Sequence, residues 1–506
     1  MGLGNPMCHQ PPLPRPEARK RRSQPLARAA PPAPLAIAAL LLCGSALGCA
    51  SGSIRSDVRR VQELTRAAAL PRVIESRVDP SRDPAVQSSL REPLDADAAV
   101  RVALLANREL RAKLRELGVA RGQLLQAGLF PNPRAEVEVL PERGSELELR
   151  VEYDITRAVL APLRARAFDA ELEAARYRVA SAVVDLAYRV RIGYLRMQAA
   201  QQRLTIAQQA LAALDAARLA ARALFAAGNL PALDLATHEA AHDRAAVDVE
   251  RIALELATER ERFTRVLGLA DAPPSWRLRA LLPTAPARAM AADDLESRAL
   301  RASLELRGAH QHLVGLARQA GFARTEGLVP DVTVDVHALT SRPGSPGLGT
   351  PSDWRFGGGV SLSLPLFDRQ QGNALALDAA WRAGVERYYG MAAELRSEAR
   401  ELQQRLNSSH MRARKYQEVI LPGQSRVTEQ SLLQYNAMQL GVFQLLAARR
   451  EQLDAQLAYV DTLREYWSVV VEIEALLQGR RGSSHAPAEA FDMPLSTGSQ
   501  AAGHGS

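Results

Sequence analysis

From Thr156 to Ala227 the chain runs for about 70 residues with no strong helix breaker except Pro162 near the start. At 1.5 Å per residue a helix of that length extends roughly 105 Å, far beyond a globular domain. It therefore needs a partner along its length. Leu204, Ala207, Leu211 and Leu214 carry coiled-coil spacing, and Val249, Ile252, Leu256, Phe263 and Val266 carry it again beyond the reversal "FAAGNLPALDL". Gly228 and Pro231 in that reversal predict a tight return, so the two runs form an antiparallel hairpin. Only 5% of the chain is aromatic, which suits helices packed through small residues better than a thick globular core.

The same order of elements occurs twice. "AGLFPNPRAEVEV" and "TEGLVPDVTVDV" each end a helical run at a Gly-Leu-x-Pro elbow and release an alternating segment. The elbow prolines, Pro131 and Pro330, lie 199 positions apart, which marks a large duplication and not a short solenoid. Gly128 and Gly327 suit a helix exit, and the prolines lack the amide that would continue it.

Before the first elbow, Asp95 to Gln126 reads as one helix, with Val102, Leu105, Leu110, Leu114, Leu117, Leu124 and Leu125 at three- and four-residue steps. After it comes a hairpin, "RAEVEVL" and "ELELRVEYDI" around "PERGS". Val137, Val139, Leu147, Leu149, Val151 and Tyr153 fall on one face, and Glu136, Glu138, Glu146, Glu148, Arg150, Glu152 and Asp154 on the other. A soluble sheet with one wet face and a transmembrane barrel strand both carry this alternation.

The second half replays the series: a helix from Asp294 to Arg324, strands "DVTVDVHALT" and "WRFGGGVSLSL", and a long helix from about Asn373 to Ala437 interrupted near Pro422. A reversal at "YNAMQLGVFQLL" and a returning helix to Leu477 complete it. The expected organisation is a leader over 1–48, a lead-in without regular structure over 49–93 and a first repeat over 94–269. A proline-rich linker over 270–293, a second repeat over 294–479 and a disordered tail over 480–506 follow.

The leader reads as an export signal: Arg15, Arg19, Lys20, Arg21, Arg22 and Arg28, then the apolar "APLAIAALLL", then "SALGC". The apolar run falls short of the ~20 residues that span a bilayer. Cys49 follows a small residue, the arrangement of bacterial lipoprotein processing, and is the expected site of acylation by palmitate-type chains. Cys8 and Cys43 leave with the signal, so Cys49 has no disulfide partner in the mature chain. Removing the leader also reduces the net charge of +8 to about +3, and no basic face points to nucleic acid.

One segment carries apparent chemistry. "HEAAH", His238 to His242, matches a zinc-protease motif in which Glu239 would serve as base. It sits inside a coiled-coil helix just after the reversal, and the extended histidine pattern of one large protease class is missing. His310 and His312, two apart on a helix, fall on different faces and make a poor metal pair. No phosphate loop, nucleophile elbow or zinc ribbon occurs, and the expectation is a protein with no enzymatic activity, no cofactor and no metal site.

The two elbows, "VSLSLPLFDRQQGN" (Val360 to Asn373) and the paired reversals resemble the TolC-like outer membrane factor family, in its lipoprotein form, over residues 90 to 479. The resemblance implies a mostly α protein with membrane β. It consists of a long antiparallel coiled-coil barrel joined to a twelve-stranded transmembrane β-barrel, built by a homotrimer in which each chain gives four strands. Four strands cannot close alone, and open edges are not tolerated in lipid. It implies an outer membrane channel of a Gram-negative bacterium, lipid-anchored and reaching into the periplasm. Such a channel is a passive conduit working with a periplasmic adaptor protein and an inner-membrane transporter. Asp234 and Tyr435 match positions that hold the periplasmic tip closed in some members. Acids found in some relatives at Gln444 and Ala447 are absent here, so a ring of Gln444 side chains is what would narrow the pore. The competing reading is a lipid-anchored periplasmic coiled-coil scaffold, which leaves the two hairpins without a purpose.

Overall fold

The computed structural model describes residues 53–67, 83–140, 146–269, 276–278, 281–341 and 354–481. The chain divides into two units, residues 1–51 and 52–506, and all described residues belong to the second. The leader, Cys49 and the segment from 482 onward lie outside the described residues, as do the turn 141–145 and the loop 342–353.

Two helices occupy part of the lead-in that the sequence reading left without regular structure: α1 (Ile54–Thr65) and α2 (Pro84–Arg91). Ile54, Val58, Val61 and Leu64 recur at helical spacing in α1, a signal that its arginines obscure. The run before the first elbow is two helices rather than one, α3 (Ala96–Ala106) and α4 (Arg108–Gly128). Asn107 separates them. Its extended backbone ends α3, and its side-chain oxygen accepts the Leu110 amide to start α4. The hairpin strands β1 (Arg134–Leu140) and β2 (Glu146–Asp154) follow, then α5 (Ile155–Ala226), 72 residues long, and α6 (Ala232–Leu267).

The second half repeats even the break. α7 (Leu295–Ala302) and α8 (Leu304–Glu326) are divided at Ser303, whose hydroxyl accepts the Leu306 amide. Each break also receives the end of its own half's returning helix: Asn107 donates to the Val266 carbonyl, and Leu304 donates to the Gly479 carbonyl. Strands β3 (Asp331–Ser341) and β4 (Trp354–Ser363) lead into α9 (Gln371–Lys415). At Pro422 the helix does not break. A π-helical turn over Tyr416–Ile420 widens it first, which accommodates the missing amide and the ring, and α10 (Leu421–Asn436) continues to the reversal before α11 (Val442–Leu477).

Helix α5 is the spine, packing against α4, α6, α8 and α11. The coiled-coil positions named from the sequence line these seams, with Ala207, Ile252 and Phe263 buried. One apolar cluster gathers α1 to α6 around Leu114, Leu186 and Phe263, and another gathers α7, α9 and α11 around Leu402, Tyr466 and Ile473. Between them lies the proline-rich connection, gripped by its carbonyls. Arg260 binds Trp276, Gln198 binds Leu281, Trp467 binds Pro283 and His410 binds Pro286. Arg480 and Arg481, which the sequence reading assigned to the tail, are also held: Arg480 bonds Asp185 at 2.8 Å and covers the Tyr188 ring, and Arg481 pairs with Glu394.

Candidate functional site

The four strands form one antiparallel sheet in the order β1-β2-β3-β4, so the halves meet at β2 and β3. The register sorts every side chain by face. Val137, Leu149, Ala338 and Phe356 stand in one row, and Ala135, Val151, Val336 and Gly358 in the next. The opposite face carries Glu136, Arg150 and His337 in one row and Arg134, Glu152 and Asp335 in another. His337 lies 3.2 Å from Asp335, in room left by Gly357 and Gly359.

Among the described residues nothing covers the apolar face. Val137 is 64% exposed and both Phe356 and Val360 71%, where a soluble sheet would bury such residues against a second layer. Among the described residues the outer edges of β1 and β4 pair with no strand. Strands of nine to eleven residues (β2, β4 and β3) match the hydrocarbon thickness of a bilayer at a barrel tilt. Among the described residues no helix is long and apolar enough to cross a membrane.

The elbows sit where helix becomes strand. Gly128 is the last residue of α4 and Pro131 lies in the five-residue approach to β1, while Gly327 follows α8 and Pro330 directly precedes β3. They are not equivalent. A Cβ on Gly128 would meet Ala165 at an ordinary 3.5 Å, whereas one on Gly327 would lie 2.0 Å from the Arg369 carbonyl oxygen. A staple absent from the sequence reading joins the halves here: the Thr156 hydroxyl donates to the Pro330 carbonyl and accepts the Val332 amide, both at 2.8 Å.

At the far ends of the long helices, both reversals use the same hydrogen bonds. Gly228 donates to Phe225 and Asn229 to Leu224 in one, and Met438 donates to Tyr435 and Gln439 to Gln434 in the other. Asp234 is exposed in the first turn of α6, Tyr435 is 40% exposed near the end of α10, and Gln444 turns its amide back toward Gly441. Among the described residues no hydrogen bond joins these three to one another. A stack of His238 on Phe443, with ring centres 4.1 Å apart, joins the two tips.

Comparison with known proteins places this architecture. No family model matches the chain. The cobalt-zinc-cadmium resistance protein CzcC of Cupriavidus metallidurans is 24% identical over 394 residues, covering 76% of this chain and 90% of CzcC. Among solved structures, the outer-membrane channel OprN superposes with a TM-score of 0.60 at 21% identity, over 79% of this chain and 91% of its own. The CmeC outer membrane channel of Campylobacter jejuni gives 0.61 at 15% identity, over 77% and 87%. The fold is that of the TolC-like outer membrane channels. CusC, whose structures concern transmembrane channel formation, agrees at 0.59 and 15% identity over 76% and 91%.

Within a TolC-like channel fold the histidine motif has other employment. His238 is in the tip stack, Glu239 pairs with Arg222 at 2.7 Å, and His242 lies between Asp215 and Asp243. Among the described residues no group of three or more His, Cys, Asp or Glu side chains is placed to hold a metal ion. His312 instead bonds Glu171, which also pairs with Arg178, while His310 is exposed. Burial pushes the Glu171 carboxyl up, but these two partners outweigh it and hold it below its ordinary range. Glu305 shows the reverse, since its burial outweighs Arg481 and Arg480 and raises it. A buried cluster that sequence reasoning missed docks α1: Asp57, fully buried, binds both Arg121 of α4 and Arg176 of α5. An aspartate in an arginine-rich helix reads as solvated, and no local signal distinguishes it.

Proposed function

We propose that this chain is the outer membrane subunit of a tripartite efflux system, a passive conduit with no chemistry of its own. Three copies pool their sheets into one barrel, and the long helices continue the pore into the periplasm. A periplasmic adaptor engages the helical part, and an inner-membrane transporter supplies the energy, since a water-filled tube only permits movement down a gradient. Acyl chains on Cys49 and the apolar face of the barrel together hold the protein in the outer membrane. Asp234, Tyr435 and Gln444 are the candidate gate at the tips.

One observation carries this reading. A four-stranded sheet of membrane-spanning length exposes a continuous apolar face, a polar face and, among the described residues, two unpaired edges, and pairing with further strands in lipid satisfies all of them. The polar face also suits a water-filled lumen that passes cations, because Glu136, Glu138, Glu148, Glu152, Asp154, Asp331 and Asp335 outnumber Arg134, Arg150 and Arg355 there. The name of CzcC makes cobalt, zinc and cadmium the first cargo to test. The test is extraction and reconstitution. Full-length protein should leave outer membranes only in detergent, purify as a trimer and conduct ions in a planar bilayer. A Cys49→Ser chain that is freely soluble and monomeric would refute the barrel and favour a scaffold.

A further inference from the structure

The duplication fixes how the barrel closes. Shifting β1 by 199 positions and β2 by 209 superposes the first hairpin on the second pair by pair: Arg134 opposite Glu152 becomes Thr333 opposite Ser361, and Val137 opposite Leu149 becomes Val336 opposite Gly358. The same two shifts apply to the junction between the halves. There Asp154 stands opposite Thr333, and its image across the repeat is Ser363 of β4 opposite Arg134 of β1 in a neighbouring copy. We propose that β4 of one copy joins β1 of the next in this register, with Leu362 opposite Ala135, Ser361 opposite Glu136 and Val360 opposite Val137. The proposal rests on the trimeric channel reading and adds the seam to it.

Two further observations support this register. It keeps the faces continuous, because Val360 and Leu362 fall beside Val137 and Ala135 on the lipid side while Ser361 falls beside Glu136 on the lumen side; a slip of one residue would invert every pair. Slips of two keep the faces, and among those the junction inside the chain, Asp154 opposite Thr333, selects the register. At the rim of this seam Phe130 and Phe367 are 59% and 91% exposed in the single chain, apolar surface that a neighbouring copy would cover. The image of Thr156 is Pro365, which has no donor, so the hydrogen bonds that hold the rim inside the chain have no counterpart at the seam.

The test is disulfide formation in outer membranes between copies of the full-length chain. Val137→Cys with Val360→Cys forms one double variant and Glu136→Cys with Ser361→Cys another, so that one of the two adjacent pairs is of the close, non-hydrogen-bonded kind. The slipped controls are Val139→Cys with Val360→Cys and Glu138→Cys with Ser361→Cys. The proposed register predicts reducible oligomers up to a trimer for at least one in-register pair, at about ten times the yield of either control. Stronger linking of a slipped pair, or no linking in a protein that is still trimeric and conducting, overturns the register and leaves the channel standing. An unmodified protein that is monomeric and does not conduct overturns both.

Discussion

At the scale of single residues, the two helical reversals place different residues at their left-handed position. Gly228 and Met438 occupy the same left-handed place in the same hydrogen-bonded turn, with φ of 75° and 59°, and a side chain there carries a steric cost that glycine avoids. Met438→Gly should stabilise its reversal by about 1 kcal/mol, and Gly228→Ala should weaken the other by a similar amount. Hydrogen exchange of the Gln439 and Asn229 amides measures this directly, as a change of about fivefold in each. The elbow glycines should separate as well. Gly327→Ala forces the Arg369 backbone to move and should cost about 1–3 kcal/mol, whereas Gly128→Ala meets only ordinary contact and should be neutral or slightly stabilising; thermal unfolding of the detergent-purified variants compares them. Both glycines read alike in the sequence, because the Arg369 approach comes from a segment more than forty positions away. Titration gives a third residue-level test. Glu171 has a depressed carboxyl, so its contribution is present above the unfolded carboxylate range and is lost as pH falls through the folded value, and Glu171→Gln should flatten the acid limb of a stability profile. Glu305, with a raised carboxyl, has the opposite sign: stability falls as pH rises through that window, and Glu305→Gln should remove the fall.

At the scale of elements, the long features were legible and the short ones were not. Helices α5, α6 and α11 and the four strands follow from apolar spacing repeated over many turns or pleats, which local accidents do not disturb. The breaks at Asn107 and Ser303 rest on single caps inside otherwise continuous apolar patterns, so periodicity runs straight through them. Pro422 was visible as a disturbance, but whether the helix stops or widens depends on its packing against α11. Helix α1 was hidden for a different reason, since its anchor is a buried charge paired with residues 64 and 119 positions away. Removing that charge takes the carboxylate from Arg121 and leaves Arg176 with Glu173 alone, and Asp57→Ala should cost about 3 kcal/mol and release α1. Limited proteolysis should then cut first within 54–65, while wild type resists there. Equal protection of α1 in the variant would show that apolar packing of Val58 and Val61 suffices.

At the scale of the whole molecule, the same logic that makes a hairpin from each half would make the proposed barrel from a set of copies. Among the described residues the sheet has the parts the proposed spanning wall needs except closure: the length, an apolar face, a polar face and two unpaired edges. Closure cannot be read from one chain's contacts, and in the proposed trimer it would be supplied by repetition, first inside the sequence and then between copies. The central claim is therefore that these sheets join around water within a bilayer. Single-channel recording of the purified full-length protein in a planar bilayer tests it most directly. Discrete, long-lived conductance steps that favour cations under a salt gradient are the predicted result, and a membrane that stays silent at every protein concentration would contradict it.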